Sequence, residues 1–202
     1  MAKKVMFIFI AGFLISIIQS CCTDEYTLKW TGFRIQIIDN SGKEPIICDE
    51  NCIINKNAFG FRISMNDTVF YGIAQNFKNF SLIADCKATS CGEKWRRPHD
   101  ITSIIIKTIY DYSEEFPAGT DITSLFKARI VEGLSQNYNT IDDIIPHINS
   151  LKNSNGYSIL SPIFDLYLMD NTCIGGQQKF EISILLSDEK IFTKQTENLD
   201  LK

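Results

Sequence analysis

Histidine is almost missing from this chain of 202 residues: only His99 and His147 are present. Hydrolysis by a serine or cysteine nucleophile ordinarily needs a histidine base within reach. His99 lies in the polar run Arg96-Arg97-Pro98-His99-Asp100 and His147 follows Pro146, so each reads as an exposed loop or helix-end residue. A Gly-x-Ser-x-Gly elbow, a His-Glu-x-x-His pair and a phosphate-cradling glycine loop are also missing from the sequence, and with them the commonest signatures of hydrolases, zinc peptidases and nucleotide enzymes. No cofactor and no metal are expected, and the chain reads as a non-enzyme. Glycoside hydrolysis needs only two carboxylates, and Glu114, Glu115, Asp142, Asp143 and Asp165 keep that class open.

Positive charge is scarce too. Lys and Arg number 20 against 24 Asp and Glu, a formal net charge of -4. Nucleic-acid binding usually shows as a basic excess, so no nucleic-acid partner is expected, and adsorption onto anionic lipid is disfavoured for the same reason. No internal repeat or low-complexity stretch is evident. The longest apolar run, Val5 to Ile18, is broken by Gly12 and Ser16 and falls short of the roughly twenty residues that a membrane crossing needs.

What that run does have is the layout of an export signal. Lys3 and Lys4 form a short basic segment, the apolar stretch follows, and Ser20 supplies a small residue just before Cys21. Ile18-Gln19-Ser20-Cys21 resembles the lipobox of bacterial lipoproteins, which implies cleavage between Ser20 and Cys21 and acyl chains, palmitate among them, on Cys21. Two or more chains suffice for stable anchoring, so the implied partner is a membrane reached through lipid. Cys22 is the rival acceptor, but it would put Cys21 at the small-residue position. Thr23-Asp24-Glu25 then resembles the acidic surface-export signal of lipoproteins from the Bacteroidota, or serves as a solvated acidic tether. The resulting division is a signal peptide over 1–20, a lipidated tether over 21–27 and one domain over 28–202. Loss of Lys3 and Lys4 with the signal moves the formal charge from -4 to -6. The expected location is the cell envelope, at the outer membrane, with the surface as one option.

Apart from Cys21 there are six cysteines: Cys22, Cys48, Cys52, Cys86, Cys91 and Cys173. In an oxidising compartment an even number suggests disulfides. Cys48 with Cys52, and Cys86 with Cys91, are close enough in sequence to bridge locally. Four thiols are also a zinc set, but neither spacing is the two-residue knuckle. Cys22 on the tether is a candidate for staying unpaired, which would leave one partner over elsewhere.

Most of the chain from residue 28 onward alternates with period two, the mark of strands with one face to a core and one to water. Phe33 to Ile37 is followed by turn chemistry at Asp39-Asn40-Ser41-Gly42, and Phe59 to Met65 is ended by Asn66-Asp67. Further strands are expected at Phe80 to Cys86, Ile101 to Tyr110, Ile163 to Met169, Phe180 to Leu186 and Lys190 to Thr193, with a hairpin turn over Ser187-Asp188-Glu189-Lys190. Ile104-Ile105-Ile106, apolar on both faces, suggests a central strand covered twice. Helical signals are confined to the middle. Asp121 caps a stretch through Ile122, Leu125, Phe126 and Arg129, and Thr140 with Asp143 opens one through Ile141, Ile144, Ile145 and Ile148 that holds Pro146. The fold class is mainly β: an antiparallel sandwich, immunoglobulin- or transthyretin-like, with one or two short helices inserted.

Lys56-Asn57-Ala58-Phe59-Gly60-Phe61-Arg62-Ile63, Ala88-Thr89-Ser90-Cys91, Ile101-Thr102-Ser103-Ile104, Phe116 to Thr123, Gln178-Lys179-Phe180 and Leu186-Ser187-Asp188 together resemble a domain family of unknown function found among Bacteroidota lipoproteins. The likeness implies a fold and no reaction. A non-catalytic binding, adhesion or accessory module is the leading functional expectation, a structural or assembly subunit the second, and a glycan-active hydrolase the third. For binding, Trp95 with Arg96 and Arg97 is the candidate, in a loop after Cys91, since Trp beside Arg is typical of hot spots and suits a glycan or protein ligand. The alternative is that Trp95 folds back over the end of the sandwich. Trp30, alternating with Leu28, reads as core.

Overall fold

Alternation decides the elements. The computed structural model describes residues 25–48, 54–71, 94–96, 98–131, 137–150, 161–170, 172–173 and 175–202. In chain order the strands are β1 (Glu25–Asp39), β2 (Ile46–Ile47), β3 (Phe59–Tyr71), β4 (Lys94–Arg96), β5 (Ile101–Thr108), β6 (Phe126–Ile130), β7 (Ile163–Leu168), β8 (Gly176–Gln178), β9 (Phe180–Leu186), β10 (Ile191–Gln195) and β11 (Leu199–Leu201), and helix α1 (Ile141–Ser150) stands between β6 and β7. One sheet runs β2-β1-β3-β7-β6 with β4 joined to β1, a second runs β10-β9-β5, and β11-β8 form a small ladder. Each strand pair is antiparallel except β1 with β4. The mainly β, antiparallel architecture expected from the sequence is the one observed.

The two larger sheets share one core. Phe180 of β9 meets Phe61 and Phe59 of β3 at ring-centroid distances of 5.4 and 5.6 Å, and Phe126 of β6 at 6.5 Å. Aromatic pairs at such spacing add to what their burial contributes. Along β9 the apolar residues Phe180, Ile182, Ile184 and Leu186 all point inward. On β1 the inward set changes parity, from Leu28 and Trp30 to Phe33. A bulge between Trp30 and Gly32 takes up the extra residue, and Gly32, at φ +155°, adopts backbone that a side chain would resist.

The capping signals hold well. The Thr140 hydroxyl accepts from the Asp143 N–H at 3.2 Å and donates to its carboxylate at 2.6 Å. From there α1 buries Ile141, Ile144, Ile145 and Ile148 against β5 and β6. Pro146 sits inside α1 without ending it. The Asn149 amide binds both backbone groups of Ile101, at 2.8 and 2.9 Å, and so ties the end of α1 to the start of β5.

Several expectations need correction. Asn66-Asp67 does not end β3, which continues to Tyr71 because β1 stays paired with it beyond the bulge. Asp121 does cap, accepting from the Thr123 N–H at 2.9 Å, but only a 3-10 turn (Thr123–Leu125) follows. From Phe126 the chain is strand, since alternation of Phe126 and Ala128 inward with Lys127 and Arg129 outward pairs with β7. β5 is not central: it lies at the edge of its sheet, and residues 117–123 fold along it through Thr108, Thr120, Ile106 and Ile122 backbone bonds. Residues 25–27, read as tether, already belong to β1, and residues 94–96, read as loop, form β4. The strand expected over Phe80 to Cys86 lies outside the described residues, as do residues 1–24. Cys48 is disulfide-bonded, Cys173 is a buried free thiol, and Cys21, Cys22, Cys52, Cys86 and Cys91 lie outside the described residues.

Candidate functional site

Register across the first sheet builds rows on its outer face. Gln36, Arg62, Asp165 and Arg129 lie opposite one another on β1, β3, β7 and β6. Beside them runs a second row, Ile38, Gly60, Tyr167 and Lys127, and on the other side Arg34, Ser64 and Ile163. In these three rows four cations, Arg34, Arg62, Lys127 and Arg129, stand with one carboxylate, in a chain whose formal charge is -4. Three of the five arginines in the sequence, Arg34, Arg62 and Arg129, are here.

Asp165 is the keystone. Its side chain is 0 % exposed, and Arg62 grips it with two bonds, Nε to Oδ1 at 2.8 Å and Nη2 to Oδ2 at 2.9 Å. The Tyr167 hydroxyl donates to Oδ2 at 2.9 Å and accepts from Arg129 Nη2 at 2.9 Å, while that guanidinium lies 3.9 Å from Oδ2 and over the Tyr167 ring. A bidentate charged pair fixes geometry as well as energy. The bond to Asp165 raises the Arg62 pKa above its ordinary value against the cost of burial. Burial first, and then the Asp165 charge, raises that of Tyr167, so the phenol keeps the proton that it donates.

Tyr138 completes the arrangement. Its ring stands perpendicular to that of Tyr167, with centroids 5.1 Å apart, and its hydroxyl accepts from the Asn40 amide at 3.2 Å. It is 44 % exposed. Gly60 makes room beneath: a Cβ there would meet the Leu166 carbonyl at 2.6 Å and Ile38 at 3.1 Å.

A second polar cluster lies elsewhere, around Tyr112. The Tyr112 hydroxyl donates to Asp170 Oδ2 at 3.2 Å, Asp170 also takes the Thr172 N–H and hydroxyl, and Lys56 Nζ donates to the Cys173 carbonyl at 3.2 Å. Burial is the main reason that the Tyr112 pKa is raised. This cluster is closed from solvent at its centre, where Tyr112 and Cys173 are buried, and serves packing.

The sequence-derived candidates are scattered. Glu114 and Glu115 are exposed between β5 and β6, Asp142 and Asp143 lie in the first turn of α1, and Asp165 is on β7. An acid-base residue must reach its substrate, and Asp165 has no exposed surface with which to do so. His99 lies 3.6 Å from Asp188, and His147 is exposed on α1. Trp95 and Arg96 belong to β4, while Arg97 lies outside the described residues. Trp30 is core, its indole N–H donating to the His99 carbonyl at 3.2 Å. Among the described residues no group of three or more His, Cys, Asp or Glu is placed to hold a metal ion.

Sequence reading missed Arg62, Arg129, Tyr167 and Tyr138 as a site. One signal was there: Asp165 interrupts the apolar run Ile163-Phe164-Asp165-Leu166-Tyr167-Leu168, and a charge placed so is seldom buried without a partner.

These features define a mainly β protein whose two larger sheets share a core, one of them carrying a basic, tyrosine-bearing outer face. The chain matches the model of the family described as Domain of unknown function (DUF5034) over residues 31–197, and it belongs to that family. No curated protein matches it.

Proposed function

We propose that this chain is an envelope lipoprotein, anchored to the outer membrane by acyl chains on Cys21, whose β domain is a non-catalytic binding or accessory module. The export layout of residues 1–20 and the lipobox-like Ile18-Gln19-Ser20-Cys21 support the anchor. The observation that carries the binding role is the concentration of Arg34, Arg62, Lys127 and Arg129 on one sheet face of an acidic chain. Such a face draws partners of opposite charge. Local bridges from Cys48 to Cys52 and from Cys86 to Cys91 belong to the same reading, since an exported domain meets an oxidising compartment.

Intact mass measurement of the protein taken from membranes, without reduction, tests the anchor and the bridges together. A chain beginning at acylated Cys21 is expected, with mass short of the reduced form by two disulfides. A chain beginning at Met1, or an unmodified Cys21, contradicts the anchor. For the binding role, the detergent-solubilised protein is probed on glycan and protein arrays. Ligand capture is expected. Turnover of a saccharide would favour a hydrolase, and co-purification with envelope proteins without any array ligand would favour an assembly subunit.

A further inference from the structure

We propose that the outer face of β1-β3-β7-β6 binds the carboxylate groups of an acidic saccharide, with Arg129 and Arg34 as the principal ligands and Tyr138 as the ring platform. The inference rests on the binding-module reading above and names its ligand class.

Asp165 uses only part of the arginine capacity around it. Of the Arg129 donors, Nη2 is engaged by Tyr167 and Asp165, which leaves the rest of a planar fork on a side chain 24 % exposed. Arg34 is exposed, and among the described residues neither it nor Lys127 forms an ion pair. A guanidinium fork matches a carboxylate with two parallel bonds. The internal carboxylate therefore positions the arginines without neutralising the face, and it does so from paired strands, which hold a site more firmly than loops do.

Tyr138 gives the second half of the recognition. Its ring is held by the perpendicular contact with Tyr167 and by the Asn40 bond to its hydroxyl, so a partly exposed aromatic ring is oriented in advance beside Tyr167, over which the Arg129 guanidinium lies. A sugar ring presents apolar C–H edges to such a surface while its carboxylate reaches the cations. From β1 to β6 are three strand spacings of about 4.8 Å each, so Arg34 and Arg129 are set apart for separate acidic sugars along one chain rather than for one small anion. Arginine clusters also take acidic peptide motifs, so an acidic peptide is the rival occupant, and polyglutamate in the test below separates it from a saccharide, which alone stacks a ring on Tyr138.

The test uses the full-length protein in detergent with three probes: polygalacturonate, hyaluronate and polysialate. Binding of at least one is expected, weakened about tenfold by Arg129→Gln, reduced by Tyr138→Ala, and lost when the carboxylates are reduced to alcohols. Arg34→Gln with Lys127→Gln changes one exposed and one half-buried group, neither in an ion pair among the described residues, so it should weaken binding with little change in the unfolding midpoint. The proposal is overturned if none of the three binds, if Arg129→Gln and the double variant bind as the parent does, or if polyglutamate binds as tightly as the sugars. A neutral array ligand that depends on Trp95 would remove this inference and leave the binding-module reading standing.

Discussion

The outer faces of the two larger sheets follow opposite rules. On β10-β9-β5 the registered rows are Gln195, Glu181 and Lys107, then Thr193, Ser183 and Ile105, then Ile191, Leu185 and Ser103. Its one cation and one anion balance, the Ser183 and Thr193 hydroxyls bond each other at 2.8 Å, and Gln195 donates to Glu181 at 3.2 Å. That face is neutral, and its polar groups meet in cross-strand pairs at the surface. On β1-β3-β7-β6 a buried carboxylate holds two arginines, and further cations stand free beside it. Two sheets of one core thus differ in what they offer to the outside, and only the second kind invests buried charge in its geometry.

The largest expected effect breaks the keystone. Arg62→Ala leaves Asp165 buried without its bidentate partner, and removing one side of a buried ion pair costs about 3–5 kcal/mol. Glu181→Gln on the other sheet should change stability by less than about 0.5 kcal/mol. Denaturant unfolding of the two variants compares the faces directly, and equal losses would erase the distinction drawn here.

Next comes Gly60→Ala. The added methyl meets the Leu166 carbonyl at 2.6 Å, and crowding of that kind costs about 1–3 kcal/mol. Because Gly60 lies opposite Tyr167, the variant should also disturb the tyrosine pair, visible in near-ultraviolet circular dichroism.

Alkali sharpens the contrast further. Tyr167, on the basic face, and Tyr112 both hold their protons more tightly than ordinary tyrosine. In the unfolded chain tyrosine ionises near pH 10, so above that pH the unfolded state sheds protons that the fold retains. Stability is therefore complete below about pH 10 and falls above it, by at most about 1.4 kcal/mol per pH unit for each tyrosine. Tyr167→Phe should flatten part of this fall in unfolding curves taken from pH 9 to 11.5, and an unchanged slope would mean that the phenol is not held as described.

The smallest effect belongs to the satisfied sheet. Glu189, in the turn between β9 and β10, has φ +67°, a left-handed conformation that asparagine accepts more readily. Glu189→Asn should raise stability by a few tenths of a kcal/mol, about the scale of such turn preferences, with no effect on ligand binding.

How much of this was legible beforehand follows from locality. Strand alternation at Phe33 to Ile37, Phe59 to Met65 and Phe180 to Leu186, and the caps at Asp121 and Thr140, depend on neighbours a few residues away, and they are all present. Arg129 was read into a helix because the spacing of Ile122, Leu125 and Phe126 suits either period, and pairing with β7 decided the matter. Asp165 was named only as one of five carboxylates. What sets it apart is its place opposite Arg62, 103 positions away in sequence, and opposite Arg129. A ladder register of that range cannot be read from a single strand, and Tyr138 meets Asn40 across 98 positions. The eye is drawn instead to Trp95-Arg96-Arg97, whose aromatic and cations are adjacent in sequence.

Those two candidate sites divide the five arginines between them, Arg34, Arg62 and Arg129 on the sheet face and Arg96 and Arg97 beside Trp95. The most direct measurement is arginine modification with phenylglyoxal, followed residue by residue by mass spectrometry, with and without polygalacturonate. The account predicts that saccharide slows modification at Arg129 and Arg34 and leaves Arg96 and Arg97 unchanged. Protection confined to Arg96 and Arg97, or none at Arg129, would contradict it.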